Sequence, residues 1–168
     1  TIEALKLNLN GIKIISKERI LNELFKILNL KNFNNLLKNE NKKIIFSFIF
    51  PELRYLDRLQ KFDKINEYFK LNKKSLLAVL LIDEKDSHEY FGHKYNVSNS
   101  IKDKLNLMAE NFRFLKKNKS FFKQDLEKNI YLYSKKHLID LNILNFAINS
   151  KIKLKDFSET LNSILKCK

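Results

Sequence analysis

Glycine and proline are nearly missing from this chain: it has two of the first and one of the second in 168 residues. A β-sandwich or barrel turns every ~8–12 residues, and its turns draw heavily on those two residue types. Their scarcity excludes such folds and leaves helices, which need punctuation only at their ends. Cysteine occurs once, as Cys167. No disulfide can form within the chain, which fits a reducing compartment, and the expected location is the cytoplasm. No apolar run approaches the ~20 residues of a membrane span, so no membrane partner is expected. The longest run, "SLLAVLLI", reads as the core of a buried helix. The first residues, "TIEALKLNLN", alternate polar and apolar and do not read as a signal peptide. Thr rather than Met at the start suggests a chain processed or excised from something longer.

Hydrophobic residues make up 44% of the chain, too many for disorder. A chain of this length can bury roughly 70% of the surface its unfolded form exposes. Lys and Arg number 33 against 19 Asp and Glu, a net charge of +14. That excess favours a polyanionic partner. The richness in Lys, Asn, Ile and Phe also matches the codon bias of an AT-rich genome. Such bias explains Lys in place of Arg better than it explains the shortage of acids.

The hydrophobic period predicts an all-α, elongated array of short helices with no significant sheet. Residues Thr1 to Leu9 read as helix, with Ile2, Leu5 and Leu9 on one face and Gly11 just past its end. Ser16 is expected to cap a helix over Lys17 to Leu28, with Glu18 in its first turn and Arg19 pairing with Glu23. Phe33 to Asn39 reads as a short helix. "KKIIFSFIF" has β character, but a lone strand has no partner. Pro51 is placed in the first turn of a further helix carrying Leu53, Leu56 and Leu59. Lys61 to Phe69 and Lys74 to Ile82 follow. A polar interval contains a short helix that Gly92 should end. Ser98 or Ser100 then caps a long helix through Leu115, with Ile101, Leu105, Met108 and Phe112 on one face. "LKKNKS" reads as a basic linker. Helices over Lys119 to Tyr133, Leu138 to Ser150 and Leu154 to Lys166 complete the chain. The expected divisions are 1–30, 31–115 and 116–168.

Catalytic constellations are hard to find. The histidines, His88, His93 and His137, lack metal-ligand spacing and are expected at the surface or at caps. Asp83, Glu84, Asp86 and Glu89 read as a solvated loop and helix start rather than a metal site. There is no Gly-rich phosphate loop and no nucleophile elbow. No catalytic residue, metal ligand or cofactor is therefore expected within the chain. The basic residues say more. Lys102, Lys104, Arg113, Lys116, Lys117, Lys119 and Lys123 cluster around the linker, with Phe121, Phe122, Tyr131 and Tyr133 close behind. Aromatics among cations can stack on exposed bases. They can equally be core, with the lysines a solvated face.

"ISKERILNEL" resembles the Ser-x-Glu-Arg-Ile-x-x-Glu-Leu segment of class II tRNA nucleotidyltransferases (CCA-adding enzymes) and bacterial poly(A) polymerases. Ser16, Glu18, Arg19, Ile20, Glu23 and Leu24 match it. "FPEL", Phe50 to Leu53, follows at the family's interval. "SLLAVLL" stands where the family has Arg-Leu-Ala-Leu-Leu, and "VSN" where it has Leu-Ser-Asn. The chain departs where a glycine normally precedes "FPEL" and where Ser75 or a nearby lysine stands in place of the arginine. The resemblance implies the end of a neck, a body and a tail that hold the acceptor and T arms of tRNA. It also implies a catalytic head, with paired metal-binding aspartates and magnesium, outside this chain. The chain alone should then be inactive in nucleotidyl transfer. The competing expectation is a basic helical scaffold for nucleic acid or protein, with no link to that chemistry.

Overall fold

A computed structural model describes residues 2–30, 33–65 and 72–167, with the side chains of 2, 5, 6, 9, 10, 13, 34, 63 and 73 also left aside. Among the described residues the chain is all-α and has no strand. It divides into two compact units, Thr1–Asp103 and Lys104–Lys168. The boundary falls within one helix.

The first unit opens with α1 (Ile2–Asn8), which runs into a 3₁₀ segment, Leu9–Ile14. Gly11 lies inside that segment and not beyond a helix end, and it has no positive φ. The expected Ile2, Leu5 and Leu9 stripe lies outside the described side chains. Helix α2 (Lys17–Leu28) forms where the period places it. Ser16 caps it: φ −58° and ψ 141° hold it outside the helix, and its Oγ accepts from the Arg19 N–H at 3.3 Å. Leu21, Leu24 and Leu28 bury the inner face. Glu23 pairs with Lys26 at 2.8 Å, not with Arg19. Ser16→Ala should therefore cost about 1 kcal/mol in a denaturant melt, from the lost partner of one N–H. No measurable loss would mean that water caps the helix equally well.

Helices α3 (Phe33–Lys38) and α4 (Glu40–Ile49) follow, so the β-like run is helical. Asn39 caps α4 by accepting from the Lys42 N–H at 3.1 Å. Phe33, Phe46 and Phe50 form a chain of tilted and edge-on rings. Pro51 does not begin a helix. It sits second in a turn closed by the Leu53 N–H to the Phe50 carbonyl, 3.1 Å, where its fixed φ is already suitable. Leu56–Lys64 then winds as 3₁₀ helix, burying Leu56, Leu59 and Phe62. Ile65 is fully buried, and Phe69 lies outside the described residues.

Helix α5 (Lys73–Leu81) is the centre of this unit, and every residue from Leu76 to Ile82 is at most 6% exposed. Arg58 closes its C-terminal end. The guanidinium donates to the carbonyls of Val79 and Ile82, both at 2.8 Å, and lies 3.6 Å over the Tyr55 ring. Those carbonyls have no partner within the helix, and they carry the negative end of its dipole. Burial pushes the Arg58 pKa down without threatening its charge. Helix α6 (Ser87–Lys94) runs past Gly92. It ends at Asn96 (φ 48°), where the Val97 N–H reaches the Gly92 carbonyl and the Asn96 N–H reaches that of His93. This is a Schellman closure with Asn in the left-handed position. Gly92 lies inside the helix beside the Lys102 stem, whose Cγ lies 3.4 Å from where a Cβ would be, an ordinary contact distance.

Helix α7 (Asn99–Lys117) carries the unit boundary. Ser98 stands at its cap position and its carbonyl takes the first helical bond, from Lys102. Ile101, Leu105, Met108 and Phe112 are all buried on one face. In the second unit the expected Lys119 to Tyr133 helix is shorter. Residues 119–125 are a turn, and α8 is Leu126–Tyr133. Helices α9 (Lys135–Ile148) and α10 (Leu154–Lys166) pack together through Phe146 and Phe157, ring centres 5.0 Å apart.

Candidate nucleic-acid interface

The basic excess is denser in the second unit, where residues 104–168 carry fourteen Lys and Arg against six Asp and Glu. Its most concentrated stretch is the last turn of α7 and the turn after it. Arg113, Lys116, Lys117, Lys119 and Lys123 are all exposed there. Positions 113, 116 and 117 are three and four apart, so they share one side of the helix. Lys116 also lies 5.0 Å over the Phe112 ring. Lys116 and Lys117 complement the negative end of the helix dipole, so part of their value is structural.

The stretch expected as a linker is a pinned turn. Asn118 Oδ1 accepts from the Ser120 N–H at 2.9 Å and from its hydroxyl at 2.7 Å. The Asp125 carboxylate accepts from the Asn118 amide at 3.1 Å and from the Ser120 hydroxyl. Those hydrogen bonds, Ser120 first, hold the Asp125 carboxyl below its ordinary range. Asn129 donates to the Phe121 carbonyl at 2.9 Å, beneath the turn. Lys119 and Lys123 thus project from a fixed backbone, so holding a phosphate there needs little ordering of the chain.

Two of the seven expected cations stand apart from this group. Lys102 belongs to the first unit, its stem laid on Gly92. Lys104 forms an ion pair with the buried Asp140, Nζ to Oδ2 2.5 Å. Of the expected aromatics, Phe121 is fully buried, with Phe122 edge-on to it at 5.2 Å. Tyr133 packs on His137 at 5.6 Å. Tyr131 alone of the four is open, at 91% exposure. Phe114, half exposed at the end of α7, was not legible as a surface residue, because it follows the buried Phe112 with no change in residue type.

The histidines depart from expectation. His93 is exposed, but His88 and His137 are buried. His137 meets the Asn111 amide at 3.0 Å through Nε2. Burial lowers its pKa; the Asp140 carboxylate works against this and Lys104 with it. A buried imidazole with a depressed pKa favours folding only while neutral. Its contribution is complete above the ordinary 6.5 and is lost as pH falls below that value toward the lower folded pKa. Urea midpoints should therefore drop between roughly pH 7.5 and pH 5.5, and His137→Gln should flatten the drop. An identical slope in that variant would assign the effect elsewhere.

In the first unit several family-like residues have structural partners. Ser16 is the cap, Glu18 and Arg19 are exposed in the first turn, and Glu23 holds Lys26. In "FPEL", Phe50 and Leu53 are buried, and the nearly buried Glu52 accepts from Lys94 and, at 3.0 Å, from the Tyr95 hydroxyl. Burial and that carboxylate push the Tyr95 phenol well up, so it stays a donor. Asp83 receives the Ser87 hydroxyl at 2.6 Å and the Tyr55 hydroxyl at 3.0 Å. Burial works to raise its pKa, and these donors with the Ser87 and Lys85 N–H groups outweigh it. Among the described residues, Asp86, His88 and Glu89 form one group whose possible ligand atoms lie within 4.8 Å of one another.

Residues 1–56 match the family model described as the probable RNA and SrmB-binding site of polymerase A. The match covers a third of the chain. It supports an RNA-binding region of a polymerase A-like enzyme and, at that coarse level, the poly(A) polymerase and tRNA nucleotidyltransferase family. No curated protein and no solved structure matches the chain. None of its described helices is long and apolar enough to cross a membrane.

Proposed function

We propose that this chain is the RNA-holding part of a nucleotidyltransferase of the poly(A) polymerase and CCA-adding type, acting on tRNA in the cytoplasm. It grips the acceptor and T arms while a catalytic head outside the described residues adds nucleotides with magnesium. The family match over residues 1–56 carries this reading. The net charge of +14 and the exposed cations around the end of α7 support it. The paired carboxylates that bind the metal in such a reaction are not assigned to any residue here, and the chain alone is expected to be inactive.

A grip of this kind reads A-form shape and phosphates, since side chains do not enter the deep major groove of RNA. Affinity for an acceptor–T-arm minihelix should fall by a decade or more between ~50 and ~200 mM salt if several phosphates are neutralised. The minihelix should bind more tightly than a single strand of equal length. Equal binding of the two would reject recognition of shape and favour a general basic scaffold.

A further inference from the structure

The first unit contains a cavity of about 270 Å³ between α3, the start of α4 and the 3₁₀ segment Leu56–Lys64. Three leucines line it, Leu37, Leu56 and Leu59, each less than 10% exposed. Beside them Lys43 Nζ donates to Asp57 Oδ1 at 2.7 Å, and Gln60 adds an amide. Lys38 and Glu40 complete the lining. Its volume lies just below the ~300 Å³ at which pockets for drug-sized ligands start, so it suits a single ring system.

We propose that this cavity takes the guanine base of an unpaired nucleotide in bound RNA. The proposal rests on the RNA-binding reading above. Its chemistry follows from the lining. Two cations and two anions balance, so the site favours a neutral polar ring over a bare phosphate. The leucines offer an apolar surface to one face of the ring. The ion pair sets a donor next to an acceptor, and guanine presents the complement: the O6 acceptor beside the N1–H and N2–H₂ donors. Lys43 donates to O6, and Asp57 accepts from N1–H and N2–H₂. The Asp57 side chain is 72% exposed, so its carboxylate can be reached without unfolding. The hydrogen bond to Asp57 raises the Lys43 pKa, so its ammonium remains charged at neutral pH. Adenine places a donor where guanine has O6, opposite Lys43. Unpaired bases are also the ones whose edges a protein can read in RNA.

The test uses the whole chain with methyl-labelled leucines and titrates guanosine monophosphate by NMR. Shifts are expected at Leu37, Leu56 and Leu59. Inosine monophosphate lacks the 2-amino group and should bind at least about fivefold more weakly, as should adenosine monophosphate. Asp57→Asn should abolish the preference for guanine over inosine. An exposed pair contributes little to stability, so this variant should melt within about 4 °C of the parent. Salt-dependent binding of the minihelix is measured on the same sample. RNA binding with no guanosine monophosphate shifts at the three leucines overturns the cavity proposal and leaves the RNA reading standing. Loss of both overturns both. Equal shifts with guanosine, inosine and adenosine monophosphate overturn the assignment of guanine.

Discussion

Replacing Lys116, Lys117 and Lys119 together by glutamate is expected to weaken minihelix binding at least about tenfold near physiological salt and to make log affinity against log salt shallower by about 2–3. Each cation that neutralises a phosphate releases a counterion, so three lost contacts remove nearly three from the slope. Reversal adds repulsion from the same phosphates. All tRNA species should be affected alike, because phosphate contacts carry no sequence information. The same change also opposes the helix dipole at Lys116 and Lys117, at a cost of up to about 1 kcal/mol each. Melting curves must therefore accompany the binding isotherms. If the variant is folded and binds unchanged, these lysines are a solvated helix end and the grip lies elsewhere. Tyr131→Ala gives an independent check. Its ring is almost wholly open, so folding should be unaffected and any loss of affinity reports contact with RNA.

The helices were legible because their signals are local. Ser16 before an apolar stripe, and Ile101, Leu105, Met108 and Phe112 at helical spacing, each depend only on neighbours within a few residues. The "KKIIFSFIF" run became helix despite its β propensity, because Phe46 and Phe50 gain a ring cluster with Phe33 on that face. Gly11 and Gly92 misled for the opposite reason. A glycine is read as a stop, yet Asn96 takes the left-handed position after α6 and Gly92 lies inside that helix, beside the Lys102 stem. The candidate interface was legible only as a list of cations. The sequence contains no sign that Lys104 turns inward to Asp140 or that Glu52 takes Lys94 and Tyr95, 42 and 43 positions away. The turn at Asn118–Asp125 resembled a linker because its order comes from side-chain hydrogen bonds and not from periodicity.

The separation of Lys104 from the other cations has a measurable consequence. Lys104→Met should destabilise the chain by about 2–3 kcal/mol and leave RNA binding nearly unchanged. Breaking a buried ion pair from one side costs ~3–5 kcal/mol, because the remaining charge stays desolvated. Asp140 is 6% exposed at its side chain, but Lys104 is 21% exposed and Asp140 keeps other interactions, so the expected cost falls to the bottom of that range or just below it. Methionine keeps an apolar stem of similar length and removes the ammonium. Replacing Asp140 by Asn in the same chain should recover part of the loss, since no buried charge is then stranded. A coupling of 1 kcal/mol or more across that cycle is the expected signature of direct contact. Lys104→Met also takes away a cation that depresses the His137 pKa. The acid limb attributed to His137 should become shallower, because its folded pKa moves back toward 6.5. A variant that melts like the parent but binds RNA more weakly would place Lys104 at the interface after all, and the ion pair would then be a resting position that RNA displaces.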